Sequence, residues 1–328
     1  MRIYPKLCAL SVCAAALAAP RCVHDRCDPG AQGDVVDPCD GPAPPQGALP
    51  GTPDPGEVPA GTVGPAGGAV ARLWFATTGD TRPPSCDRSD RYPTATMAQI
   101  ARAMKAVRVQ FAVDLGDHMY VCNQSLAEAR TQMALYASAV AQGPPTWWMT
   151  MGNHECGNDV PPFSCFVGGG DANFTAYLAA LKRPLPWYSA DVQTQLGLAR
   201  FAVVADDSWD AAQQAWLERT LSDADARARY TIVVRHHPVT GPRIGNPQIV
   251  SIIAAHNYSL ILTAHSHTYA RDPARFGGRS VIVGLGGAPS NVQPGFGTVL
   301  QERDGSLTFV RRDANGNPLE APWSVAPQ

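Results

Sequence analysis

Residues 111–120 read Phe-Ala-Val-Asp-Leu-Gly-Asp-His-Met-Tyr, and this stretch decides how the chain is to be read. Phe111–Leu115 is a short apolar run of strand length. The run stops at Gly116, and polar groups able to bind a metal follow at once. The same layout recurs along the chain. Leu73–Thr78 reads as a strand and is followed by Gly79–Asp80–Thr81. Thr146–Met151 is followed by Gly152–Asn153–His154–Glu155, Tyr230–Val234 by His236 and His237, and Leu260–Ala264 by His265–Ser266–His267. In open α/β sheets ligands collect outside the carboxyl ends of strands, so these five loops are expected to converge on one crevice.

Histidine usage points the same way. Six of the eight histidines lie in these loops, leaving only His24 and His256 elsewhere. Between the strands the pattern is helical at Ala95–Ala106, Leu126–Ala141, Ala211–Leu221 and Ile249–His256. Ala199–Ala205 and Val281–Leu285 read as further strands, and a hairpin turning at Asp304–Gly305 follows. This is an α/β pattern with one contiguous core and no internal repeat.

In this order the motifs resemble the calcineurin-like metallophosphoesterase superfamily, and within it the purple acid phosphatases, whose pattern runs GDxG, GDxxY, GNH(E/D), VxxH, GHxH. The resemblance covers about residues 73–290. It implies an α/β (α+β) fold, a four-layer sandwich of two mixed β-sheets flanked by helices, with a two-metal site at the strand ends. Carried over by motif, Asp80, Tyr120 and His267 would bind the first metal. Asn153, His236 and His265 would bind the second, and Asp117 would bridge both. Val233–Val234–Arg235–His236 matches VxxH and sets His236 as the ligand; the other register would use His237. His154 would be the catalytic imidazole that protonates the leaving oxygen, or would orient Asn153. His118 and His237 are further catalytic candidates that would line the substrate pocket.

Two departures from the pattern matter. Ala264 replaces the glycine of GHxH, a mild change if the backbone there does not need positive φ. Arg82 replaces the glycine of GDxG, where distant members of the superfamily place a metal-binding histidine. Arginine stays protonated and cannot ligate, so the first metal needs another donor, and Tyr120 stands where it should be. A phenol binds as phenolate only to a strongly acidic metal, since its pKa is ~10. The implied cofactors are therefore two metal ions, Fe(III) plus a divalent Fe, Zn or Mn. Arg82 itself is either a phosphate clamp, matching phosphate oxygens through its forked donors, or the partner of a local aspartate.

The implied reaction is hydrolysis of a small phosphorylated substrate. Two cations ~3.5–4 Å apart would turn water into an attacking hydroxide and neutralise charge on the phosphate. An acid phosphatase acting on phosphomonoesters leads; a phosphodiesterase or nucleotide-cleaving enzyme with the same site, and an exported binding protein without catalysis, are the alternatives. With 16% charged residues, a net charge of -2 and no basic block, the chain gives no reason to expect nucleic acid or an anionic membrane as partner.

The N-terminus reads differently from the rest. Arg2 and Lys6 precede an apolar run, Leu7–Ala19, with small residues before Pro20, the layout of a secretory signal over residues 1–19. That run is too short to span a bilayer, so no transmembrane segment is expected in the mature chain. Residues 20–70, rich in Pro, Gly and Ala, read as a linker or stalk, leaving residues 71–328 as the catalytic domain. Export, to the periplasm, surface or medium, would suit disulfides. Cys156 with Cys165 and Cys86 with Cys122 is the preferred pairing, although sequence alone does not fix it. Cys22, Cys27 and Cys39 lie in the linker, and the odd total of seven after signal removal leaves one free or joined to another molecule.

Overall fold

The computed structural model describes residues 60–156, 168–240, 246–290 and 292–327, with Pro53 and Cys165 besides. The signal, most of the linker and its three cysteines lie outside the described residues. Those described belong to one compact unit, Gly47–Gln328.

Two mixed sheets face each other. The first is built on three parallel neighbours, β3 (Trp74–Thr78), β4 (Phe111–Asp114) and β5 (Trp147–Met149). Antiparallel β12 (Gly295–Gln301), β13 (Leu307–Asp313) and β14 (Trp323–Val325) extend it from β3. The second sheet has eight strands. At its centre run β7 (Gly197–Val203), β8 (Tyr230–Val234), β9 (Leu260–Thr263) and β11 (Ser280–Val283), all parallel. β10 (Tyr269–Arg271) closes one side; β6 (Tyr188–Thr194), β2 (Gly67–Val70) and β1 (Gly61–Gly64) continue the other.

Strand alternation explains the layering, because successive side chains point to opposite faces. From the first sheet Phe75, Phe111 and Val113 point inward. They meet Phe201, Val203, Ile232, Val234, Leu260 and Leu262 of the second in one buried core. The intervening residues face outward and are covered by helices, which is why these strands read as continuous apolar runs. Trp74, Ala76 and Ala112 pack on α1 (Thr94–Ala106) through Met97, Ile100 and Met104. Ala202, Val204, Val233 and Ile261 pack on α4 (Ala211–Arg227) and α5 (Pro247–Ala254) through Leu217, Leu221, Ile249 and Ile253. The result is helix, sheet, sheet, helix, the four layers expected.

Helix ends follow local chemistry. Ser125 accepts the N–H of Glu128 and caps α2 (Leu126–Val140), a Ser-x-x-Glu start. Asp210 caps α4 through the N–H of Gln213 (2.7 Å), and Asn246 followed by Pro247 opens α5.

One boundary needs correction. Residues 61–70, read as the end of the linker, form the β1–β2 hairpin, whose β2 pairs in parallel with β6. Glycine-rich and without apolar period, this pair sits at a sheet edge, and Val63 and Val70 alone carry it into the core. A helix over residues 172–181, α3 (Ala172–Leu181), and strand β6 were not anticipated. β6 alternates buried and exposed along Tyr188–Thr194, its inward face made by Tyr188, Ala190, Val192 and Thr194. Both disulfides of the preferred pairing are present, Cys86–Cys122 and Cys156–Cys165. No helix among the described residues is long and apolar enough to cross a membrane.

Candidate metal centre

All five loops anticipated at strand ends meet at the carboxyl ends of the central strands of the two sheets. Asp80 follows β3, and its N–H donates to the carbonyl of Gly116 in the loop after β4 (2.9 Å). Close approach is enforced by glycine. A Cβ on Gly116, whose φ is +95°, would meet the Gly152 nitrogen at 2.6 Å and His236 Nδ1 at 2.9 Å; one on Gly284 would meet Asp80 Oδ2 at 2.2 Å. Four candidate ligands, Asp80, Asp117, His265 and His267, hold left-handed backbone, with φ between 48° and 67°. Such conformations cost energy for residues with a Cβ, and cluster where side chains must be aimed. Ala264 is not among the positive-φ residues, so the missing glycine costs nothing there. His265 and His267 therefore reach the site from a tight turn rather than from an extended segment.

Two groups of side chains could each hold a cation: Asp117, His236 and His265, and Asp80, Asp117 and His267, with the donor atoms of each group within 4.8 Å of one another. Asp117 belongs to both. The first group contains the clearest chemical sign. His236 Nδ1 lies 2.7 Å from the Leu115 carbonyl and must donate to it, which leaves Nε2 with its lone pair. That lone pair faces Asn153 Oδ1 at 3.1 Å, His265 Nδ1 at 3.2 Å and Asp117 Oδ1 at 3.4 Å, while Asn153 Oδ1 is 2.9 Å from His265 Nδ1. With Nε2 an acceptor, it, Asn153 Oδ1 and Asp117 Oδ1 cannot satisfy one another; one N–H at His265 Nδ1 would serve at most part of that set, and a cation between them resolves the conflict. The donor set, two imidazoles, a carboxylate and an amide oxygen, suits zinc, manganese or iron. These residues fit a metal, and His236 rather than His237 stands in the register to bind it.

Beside it, His267 Nδ1 lies 2.9 Å from the Pro289 carbonyl, so Nε2 again carries the lone pair. Asp80 is fully buried, and burial together with Asp117 pushes its pKa up to about 7 against the pull of His236 and Arg82. Asp117 is driven the other way: burial opposes its charge, but His236, His154, Arg82 and His265 outweigh that and hold it well below the usual carboxylate range. Arg82 Nε is 3.5 Å from Asp117 Oδ2, and its guanidinium lies over the Tyr120 ring, 4.5 Å from the centroid. The other face of this corner is His154, whose ring is 4.3 Å from that of Tyr120 and whose Nε2 is 3.8 Å from Asp117 Oδ2.

The structure separates the remaining two histidines from what was expected of them. His118 is fully buried and has no exposed surface to offer a substrate. Its Nε2 lies 2.8 Å from Asp114 and its Nδ1 3.3 Å from Glu155; these carboxylates overcome burial and raise its pKa to about 10. His237 is nearly buried, its Nε2 2.9 Å from Asp207 Oδ2 and its ring 4.3 Å from that of His265. Burial disfavours its charge, yet the bond to Asp207 wins and raises its pKa. Sequence reading missed these carboxylates. Asp114 interrupts an apolar strand, which is a signal; Glu155 was visible inside Gly-Asn-His-Glu but had no role; Asp206 and Asp207 sit in a 3-10 turn that nothing marked.

A calcineurin-like phosphoesterase family model matches residues 74–269, more than half of the chain, and the chain belongs to that family. Among solved structures it is similar to a purple acid phosphatase from yellow lupin (Lupinus luteus) seeds, at 16% identity and TM-score 0.58, covering 79% of this chain and 56% of that one. The chain thus spans little more than half the lupin enzyme's length. It is also similar to a dimetal phosphatase from Danio rerio (12% identity, TM-score 0.57, 78% and 99% covered). A third is GAP50, the anchor in the inner membrane complex of Plasmodium (14%, 0.57, 79% and 90%). At these identities the likeness is one of fold. No curated protein sequence matches the chain.

Proposed function

We propose that the chain is an exported, two-metal phosphomonoesterase of the acid phosphatase type. The observation that carries the reading is the set of mutually facing acceptors, His236 Nε2, Asn153 Oδ1 and Asp117 Oδ1, next to a second carboxylate–imidazole group that shares Asp117. Asp117, Asn153, His236 and His265 would hold one cation and Asp80, Asp117, Tyr120 and His267 the other, a phenol donor at Tyr120 favouring Fe(III). Two cations there supply Lewis acidity toward the phosphate oxygens and lower the pKa of water.

The chain's own residues do the rest. His154, beside the bridging carboxylate, gives its proton to the leaving oxygen. Its backbone is fixed by the N–H bond to Asp117 Oδ1 (3.1 Å) and by Asn173 on its carbonyl (3.0 Å), so the main chain that carries the ring is set before substrate arrives. Asp207 orients His237 behind His265, steadying that ring. Arg82 offers its forked donors to the phosphate. Two disulfides among the described residues suit an oxidising compartment. Turnover of an aryl phosphate against its bis-aryl diester tests the substrate class: the monoester is expected to be the faster, and a faster diester would assign the site to phosphodiester cleavage.

A further inference from the structure

Arg82 is more than a neighbour of the site. Its Nη2 lies 3.2 Å from His267 Nε2, the nitrogen left with a lone pair by the bond to Pro289. Its Nε lies 3.5 Å from Asp117 Oδ2, and its carbon lies 4.5 Å from the centre of the Tyr120 ring. One guanidinium thus engages three of the four side chains assigned to the first cation, by donating to a lone pair, pairing with a carboxylate and covering a phenol. In the other half-site Asn153 Oδ1, His236 Nε2 and His265 Nδ1 instead lie against one another, at 2.9–3.2 Å.

Resting on the two-cation reading, we propose that Arg82 competes with the cation of the first half-site, so that the centre loads in order. The half-site of Asp117, Asn153, His236 and His265 fills first and more tightly. The half-site of Asp80, Asp117, Tyr120 and His267 fills second, when the guanidinium yields His267 and Asp117. Two positive charges cannot share that carboxylate and lone pair at these distances, and the repulsion between them is felt strongly where water is largely excluded. The guanidinium is able to move. Its remaining bond, to the Pro83 carbonyl, is long at 3.4 Å, and its Nε is buried without a hydrogen-bond acceptor. Beyond the bond to His267, little directional bonding is lost when it leaves, and its side chain is 14% exposed, so it has a way out toward solvent.

The test is calorimetric titration of chelator-stripped protein with Mn²⁺, for the wild type, Arg82→Gly and Arg82→Lys. Wild type is expected to bind two ions with affinities about tenfold or more apart, each factor of ten being roughly 1.4 kcal/mol. Arg82→Gly should tighten the weaker site by about tenfold or more and leave the stronger one unchanged, and Arg82→Lys should fall between. The unchanged stronger site shows that the variant is folded. A weaker site unmoved by Arg82→Gly, or two equal sites in wild type, overturns the competition and leaves the proposed function standing. Failure of wild type and variants alike to bind any ion overturns both.

Discussion

Glu155 and His118 are joined twice: the His118 N–H donates to Glu155 Oε1 at 2.7 Å, and His118 Nδ1 lies 3.3 Å from the same oxygen. The other oxygen of Glu155 accepts the N–H groups of Asp117 (3.0 Å) and Gly152 (2.6 Å). One buried carboxylate therefore ties the loop carrying Asp117 to the loop carrying Asn153. On the far side of His118, Asp114 is held by the Tyr136 hydroxyl (2.9 Å). The relative placement of two candidate ligands depends on a residue that touches neither cation site.

Glu155→Ala should strip three backbone donors of their acceptor and leave a buried imidazolium with one partner. Breaking a buried pair in this way costs roughly 3–5 kcal/mol. Support lost behind a ligand typically lowers metal affinity ~10–100-fold. Urea unfolding and metal titration of the variant measure the two effects, and Glu155→Gln, which keeps an acceptor oxygen, should recover part of each.

The His118 network also makes stability depend on pH. Its folded pKa, about 10, stands above the ordinary value of 6.5. The stabilisation is then complete below pH 6.5 and is lost as pH rises toward 10. At roughly 1.4 kcal/mol per pKa unit the loss is of the order of a few kcal/mol. Unfolding free energies measured between pH 6 and 10 should fall across this window, and His118→Gln should flatten the slope.

His154→Ala should lower kcat by ~10²-fold or more on an alkyl phosphate, whose leaving oxygen needs a proton. On an activated aryl phosphate the loss should be much smaller. Equal losses on both substrates would assign His154 to positioning Asn153 instead.

If iron occupies the half-site next to Tyr120, the purified protein absorbs broadly in the visible, and Tyr120→Phe removes the band while metal content stays measurable. A colourless protein carrying zinc or manganese would withdraw the purple assignment and leave the phosphoesterase reading intact.

What the sequence disclosed follows from where the information is local. Asp80, Asp117, Asn153, His236, His265 and His267 each sit within a few residues of an apolar strand, so both their chemistry and their address are written in adjacent positions. The outward and inward faces of Phe75, Ala76 and Phe201 follow from the same runs. Supporting contacts were not legible because they are made across the fold. Asp207 meets His237 over a separation of 30 residues, and Glu155 meets His118 over 37. The identical residue type, histidine after a strand, gave no means of telling buried His118 from His154. The edge hairpin at residues 61–70 was hidden by its composition, since glycine strands carry no apolar period.

Hydrolysis of an aryl phosphomonoester by protein stripped with a chelator and then reloaded tests the central claim most directly, with Asp117→Asn measured alongside. The account predicts activity lost on stripping, restored as two cations per chain are bound, and absent from Asp117→Asn. Activity that survives stripping or the loss of Asp117, or two bound cations with no hydrolysis of monoester or diester, would contradict it.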